Sequence, residues 1–148
     1  MEVNRGAPVV ASDQIEVNAD PGTVWQVISA IDAWPSWNPA VKAASLHGPL
    51  AEGSTFRWKA GPGTINSTLR QVEPPHVLAW TGKTLGIKAV HVYRLEARGG
   101  GTTVYTAESW EGLIARLLRR SLQRQLETSL RPGLERLKEE SERGASAS

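Results

Sequence analysis

Between residues 41 and 111 the chain runs through six short segments of strand character, each separated from the next by turn residues. The separators HGPLAEG, GPG, EPPH, GKTLG and RGGG are too short for the crossover that a parallel pair of strands requires. The pattern therefore predicts an antiparallel meander. Its segments lie at about 41–47, 54–60, 64–72, 77–82, 87–97 and 102–110.

Before this meander, the spacing of apolar residues along the chain changes once. SDQIEVNA alternates, with Ile15 and Val17 on one face, as expected of a half-buried strand. In DPGTVWQVISAI the apolar residues recur every three or four positions, after an Asp and a Pro that suit the start of a helix. This pattern predicts a short helix at 21–31.

The segment DAWPSWNP, residues 32–39, follows that helix. Pro35 and Pro39 prevent a smooth continuation of the helix and push the residues before them away from helical angles. We therefore predict a rigid turn region with at most one helical turn.

From Gly112 to about Arg143 the chain is rich in Leu, Arg, Gln and Glu, all good helix formers. Leucines recur every four residues from Leu118 to Leu134, and they predict a slanted apolar stripe on one long helix. Pro132 lies inside this run and predicts a kink near 128–132. A curved meander without a second set of strands needs another element to cover its concave face. The long helix can cover that face.

The length of 148 residues suits one domain, 1–148, with an ordered core at about 12–142 and mobile ends at 1–10 and 144–148. The sequence has no cysteine, hence no disulfide or thiolate metal site, and no long apolar run. We expect a cytoplasmic protein without stable membrane insertion, either a monomer or a homodimer. Lys and Arg number 17 against 15 Asp and Glu, a surplus too small to suggest nucleic acid as a partner.

The order of strand, short helix pair, antiparallel meander and long helix resembles the START-like, or SRPBCC, superfamily, in particular its bacterial polyketide cyclase/dehydrase-like branch. The resemblance covers about residues 12–142 and rests on IEVNADPGTVWQVISAIDAWPSWNP, PPHVLAWTG, HVYRLE, GGTTVYTAESWEG and LERLKEE. It implies an α+β helix-grip fold, in which a curved antiparallel sheet wraps around the C-terminal helix and two short helices follow strand 1. It also implies a cavity between sheet and helix for an apolar or aromatic small molecule, with no cofactor.

Strand alternation groups the candidate site residues by face. His91 shares a face with Tyr93, and the resemblance favours this face as the inward one. If the corresponding sets on the other strands also point inward, an aromatic box with a few polar groups results, as in many ligand pockets. Trp34 at the rim and two leucines of the long helix complete the set, whereas we expect Trp37 to pack the helix junction. The ligand-binding candidates are Trp34, Phe56, Trp58, Leu78, Trp80, His91, Tyr93, Thr106, Glu108, Leu126 and Leu130.

Three functions remain open from the sequence. The first is binding of an apolar or aromatic small molecule, lipid- or polyketide-like. The second is a polyketide cyclase or dehydratase, in which His91 and Glu108 transfer protons and Tyr93 donates to a developing enolate. The third is a chaperone- or ribosome-associated interaction protein.

The structural alternatives for the polar candidates also stay open. His91 can be hydrogen-bonded to a neighbouring strand, and Glu108 can be paired with an arginine of the long helix. The three histidines have no ligand-like spacing, so no metal is predicted. The arginines of the long helix are most simply its solvated face.

Overall fold

The computed structural model describes residues 1–147, and its centre is a seven-stranded antiparallel sheet. The order across the sheet is β1-β7-β6-β5-β4-β3-β2, so the predicted meander is confirmed for the last six strands. β1 pairs with β7 over its whole length, from Val9 opposite Trp110 to Val17 opposite Thr102. The strands are β1 (Val9–Val17), β2 (Val41–His47), β3 (Thr55–Ala60), β4 (Gly63–Glu73), β5 (Val77–Thr84), β6 (Ile87–Arg98) and β7 (Gly101–Glu111).

β1 begins three residues before the predicted segment SDQIEVNA, because its pairing with β7 extends back to Val9. The residues before it, which we expected to be mobile, lie against the outer face of the sheet. Val3 is buried there with Ala79 and Val92. The backbone N–H of Asn4 donates to Ser109 Oγ at 3.1 Å. This segment thus covers part of the sheet that would otherwise expose apolar side chains.

Two short helices follow β1, as predicted. Helix α1 (Pro21–Ser29) starts at the proline, with Asp20 accepting a hydrogen bond from the Thr23 backbone N–H at 3.2 Å. It ends two residues before the predicted boundary. A 3-10 turn (Ile31–Ala33) and the one-turn helix α2 (Trp34–Trp37) come next, so DAWPSWNP is the turn region that its prolines predicted.

The C-terminal run is two helices rather than one. Helix α3 (Leu113–Leu117) is separated from α4 (Arg119–Ala147) by Leu118, whose φ of −109° and ψ of 28° lie outside the helical region. α4 continues through Pro132. Residues 144–147, for which we expected mobility, form its last turn, and Ser148 lies outside the described residues.

α4 covers the concave face of the sheet, which is the arrangement of the helix-grip fold. Leu134 and Leu137 are buried in the main core with Leu95 and Val104 of the sheet. On the β1 side, Gln123 of α4 bonds both the N–H and the carbonyl of Val10. Within residues 1–147, none of the helices is both long and apolar enough to span a lipid bilayer.

Candidate functional site

The strand register brings the candidate residues together on the concave face. Trp80 of β5 lies opposite His91 of β6, and His91 lies opposite Glu108 of β7. One step along the strands, Tyr93 lies opposite Thr106. Residues that are directly opposite or diagonal in neighbouring strands are within side-chain reach, so three strands converge on one site.

The aromatic residues pack against one another instead of surrounding an empty box. The Trp34 ring lies 5.6 Å from Phe56, 5.4 Å from Trp58 and 5.4 Å from Trp80, measured between ring centroids. Trp34 is only 4% exposed, and its indole N–H donates to the Ile28 carbonyl at 2.9 Å. The structure thus makes Trp34 the centre of an aromatic cluster, with Leu78 also buried in the same core.

Two aromatic candidates, Trp58 and Tyr93, are only half-buried. Trp58 donates its indole N–H to Ser67 Oγ at 3.1 Å, and Tyr93 stacks on His91 with ring centroids 4.8 Å apart. Ser67 was not among the candidates. Its position opposite Phe56 in the β3–β4 register could not be read from the spacing of residues.

A polar cluster lies beside these rings. His91 Nε2 is 2.9 Å from Thr106 Oγ1, and His91 Nδ1 is 3.1 Å from Glu108 Oε1. The Nδ1 contact is close but poorly aligned for a hydrogen bond, so we treat it as an electrostatic contact. We assign the proton to Nδ1, because a proton there faces the carboxylate favourably, and in this tautomer the Thr106 hydroxyl donates to Nε2.

Burial controls the protonation of this cluster. It lowers the pKa of His91 below 6.5, and the attraction of Glu108 offsets only part of that effect. Burial, reinforced by the Glu108 charge, raises the pKa of Tyr93 far above its usual value. At neutral pH His91 is therefore an uncharged imidazole and Tyr93 an intact hydroxyl donor.

Leu126 and Leu130 lie in a second apolar cluster, away from Trp80. They are buried with Val9 and Ala115, and Trp110 of β7 packs against them. Trp110 donates its indole N–H to Glu108 Oε2 at 2.5 Å, which joins this cluster to the polar residues. The polar cluster thus sits between two apolar clusters. Trp110 shares a strand face with Thr106 and Glu108, but ordinary packing was expected of it, so it is absent from the candidates.

A large open groove occupies the opposite face of the sheet from the predicted cavity. Its volume is about 730 Å³. Its lining includes four cations, Arg57, Arg70, Lys83 and Lys88, together with Glu111. Among residues 1–147 no three His, Asp or Glu side chains come together in a way that would hold a metal ion.

The neutral state of His91 makes a testable prediction about pH. Because the folded state holds the pKa of His91 below 6.5, the unfolded chain binds this proton first as the pH falls. The contribution of this group to stability is therefore fully present above the pKa of the unfolded histidine, about 6.5, and is lost progressively as the pH falls below it. Urea unfolding at several pH values measures how steeply the free energy of unfolding falls as the pH decreases. His91→Gln should make this dependence weaker, whereas the same change at the exposed His47 should not. Equal slopes in wild type and His91→Gln would contradict the assignment.

Comparison with protein families gives one match. The profile of the family described as "Polyketide cyclase / dehydrase and lipid transport" matches residues 8–142. A comparison with curated protein sequences gives no match.

Solved structures with the same fold have low sequence identity to the chain, so they show the fold alone. A hypothetical protein of Helicobacter pylori is 16% identical, with a TM-score of 0.82 over 95% of this chain and 96% of that one. The Zhui aromatase/cyclase from Streptomyces sp. R1128 is 15% identical, with a TM-score of 0.77 over 90% and 93%. A START superfamily protein from Mycobacterium smegmatis is 15% identical, with a TM-score of 0.66 over 88% and 97%.

Proposed function

The chain belongs to the polyketide cyclase / dehydrase and lipid transport family, and from this premise we propose that it binds an apolar or aromatic small molecule on the concave face of its sheet. The observation that carries the proposal is the position of the polar cluster. His91, Thr106 and Glu108 converge between two apolar clusters and next to half-buried aromatic rings. Ligand sites combine an apolar wall with a few polar groups of this kind, which orient the ligand.

The exposure of individual side chains supports a ligand position beside Trp58 and Tyr93. Both rings are half-buried, whereas Trp34, Phe56 and Trp80 behind them are almost fully enclosed. The side chains of His91 and Glu108 keep 10% and 16% of their surface exposed. A planar ligand against Tyr93 would lie next to His91, which is 3.1 Å from Glu108, and Trp58 would extend the aromatic wall on the side of Trp80.

Calorimetric titration with planar hydroxyquinones, naphthols and fatty acids tests this proposal. We expect saturable binding of at least one planar compound. Trp58→Ala should weaken that binding about tenfold, because it removes a ring contact worth about 0.5–1.5 kcal/mol beyond the buried area.

Trp37→Ala is the matched control, because Trp37 lies on α2 and makes no ring contact with Trp58 or Trp80. It should leave the affinity unchanged. Absence of saturable binding by every compound, or equal loss in both variants, would contradict the proposal.

Proton-transfer catalysis is the second candidate, and the 3.1 Å contact between His91 Nδ1 and Glu108 Oε1 favours it. In a dehydration, Glu108 would take a proton from the carbon next to a carbonyl, and Tyr93 would donate a hydrogen bond to the enolate oxygen. Collapse of the enolate would form the carbon–carbon double bond and expel the β-hydroxyl group. Glu108 would return its proton to that group, which leaves as water. His91 Nδ1 lies 3.1 Å from that carboxylate as an electrostatic contact.

A further inference from the structure

One end of the molecule carries a compact patch of exposed leucine and isoleucine side chains. Six large apolar side chains are exposed among the described residues, and five of them lie in this patch, the other being Met1. We call it the leucine patch. Its members are Leu85 (64% exposed), Leu113 (69%), Ile114 (38%), Leu117 (68%) and Leu118 (53%).

Two segments that are distant in sequence form this patch as one surface. Leu85 lies at the tip of the β5–β6 hairpin, and the other four residues lie in or directly after α3. A Cβ atom added to Gly112, at the start of α3, would lie 2.6 Å from the carbonyl oxygen of Gly86 in the hairpin tip. The two backbones therefore touch, and the exposed side chains on both belong to one continuous surface.

Leucine is an unfavourable residue type at position 85, the exposed tip of a hairpin. Its φ of 47° lies in the left-handed region, where Asn, Asp or Gly is the usual residue at a hairpin tip. Because Leu85 is 64% exposed, its side chain gains little from burial in the isolated chain. Contact with an apolar phase would bury the exposed part of this side chain.

Five cations lie near the leucine patch along the chain, with one carboxylate, Glu111, opposite Lys88 in the β6–β7 register. Lys83 and Lys88 face each other across the hairpin beneath Leu85, and Arg116, Arg119 and Arg120 follow along α3 and the start of α4. Among residues 1–147 none of these five cations forms an ion pair, whereas Arg131, Arg136 and Arg143 of α4 each do. Among residues 1–147, Arg116, Arg119 and Arg120 are therefore free to meet an external anion, as Arg124 one turn further along α4 also is.

We propose that the leucine patch and its cations dock the protein reversibly on the surface of an anionic lipid bilayer. Exposed leucines flanked by Lys and Arg combine the two contributions that hold a protein at a bilayer surface, burial of apolar area at the headgroup boundary and attraction to anionic headgroups. This charge pattern matches an anionic bilayer better than a second copy of this chain, which would bring five like charges to the same contact. The proposal goes beyond the concave-face function and does not rest on it.

Flotation with vesicles tests the proposal. Vesicles of phosphatidylcholine alone are compared with vesicles in which part of it is replaced by phosphatidylserine, at low and high salt. We expect the wild type to bind the anionic vesicles at least tenfold more strongly than the neutral ones, and salt to weaken the binding. Arg119→Gln combined with Arg120→Gln should reduce the binding about tenfold or more, since each cation near the surface contributes about fivefold. Leu113→Ser combined with Leu117→Ser should also reduce it about tenfold.

A matched control comes from the same helix. Arg136→Gln combined with Arg143→Gln removes the same charge from exposed positions that begin about 24 Å further along α4. This control should bind as the wild type does. Thermal melts should show all variants folded, because the altered side chains are solvent-exposed.

Three outcomes would overturn the proposal. They are no binding of the wild type to either vesicle, binding of both patch variants at the wild-type level, and equal loss in the Arg136/Arg143 control. A concentration-dependent dimer that the Leu113/Leu117 variant abolishes, without vesicle binding by the wild type, would also overturn it and assign the patch to self-association.

Discussion

Trp34→Ala is expected to lower the free energy of unfolding by about 3–5 kcal/mol, the cost of deleting a large aromatic side chain from a packed core. Trp34 contacts Phe56, Trp58 and Trp80 at once, and its indole N–H satisfies the buried Ile28 carbonyl. The substitution therefore leaves a cavity, removes three ring contacts and breaks a buried hydrogen bond. Urea denaturation followed by circular dichroism measures the loss.

The adjacent tryptophan provides the control for this prediction. Trp37 lies three residues further along the same short helix but is only half-buried, and its indole N–H has no hydrogen-bond partner. Trp37→Ala should therefore cost clearly less than Trp34→Ala. An equal or larger cost at Trp37 would mean that the aromatic cluster is not centred on Trp34.

Glu108→Gln is expected to reduce turnover of a poly-β-ketone substrate by about 10²- to 10⁴-fold, the usual contribution of a positioned general base. Glutamine keeps the size of the side chain and can still accept from the Trp110 indole N–H, but it cannot take up a proton. The affinity for a non-reactive planar ligand should change little, which separates a chemical role from a binding role. Product formation by chromatography and calorimetric binding are measured on the same preparations.

The catalytic candidate has its own contradicting results. If the wild-type protein binds planar ligands but turns none of them over, the binding function stands and the catalytic function is contradicted. Turnover that survives in Glu108→Gln at the wild-type rate would show that another group takes the proton.

Local sequence patterns predicted the elements of this fold well. Alternation and turn residues were sufficient for β2 to β7, and Asp20, Pro21, Pro35 and Pro39 marked the short helices, because these signals act within a few residues. The resemblance supplied the arrangement of helix and sheet. The break at Leu118 was missed, because good helix formers stand on both sides of it and no Gly or Pro marks it.

The site was only partly predictable, because its contacts depend on register between strands. Alternation showed that His91 and Tyr93 share a face, but the 3.1 Å contact with Glu108 requires the β6–β7 pairing. The same limit applies to the two tryptophans of the turn region. Trp34 was expected at the rim and Trp37 in the helix junction, yet tertiary packing buries Trp34 more deeply.

The most direct test of the concave-face function uses the indole N–H signals of the tryptophans in a two-dimensional ¹⁵N–¹H NMR spectrum. The protein is titrated with a planar dihydroxyanthraquinone, and each signal is assigned by substitution of one tryptophan at a time. Ligand binding on the concave face predicts saturable shifts of Trp58, Trp80 and Trp110, with Trp25 on α1 unchanged. If only Trp25 and Trp37 shift, or if no indole signal moves with any planar ligand or fatty acid, the account of this site is wrong.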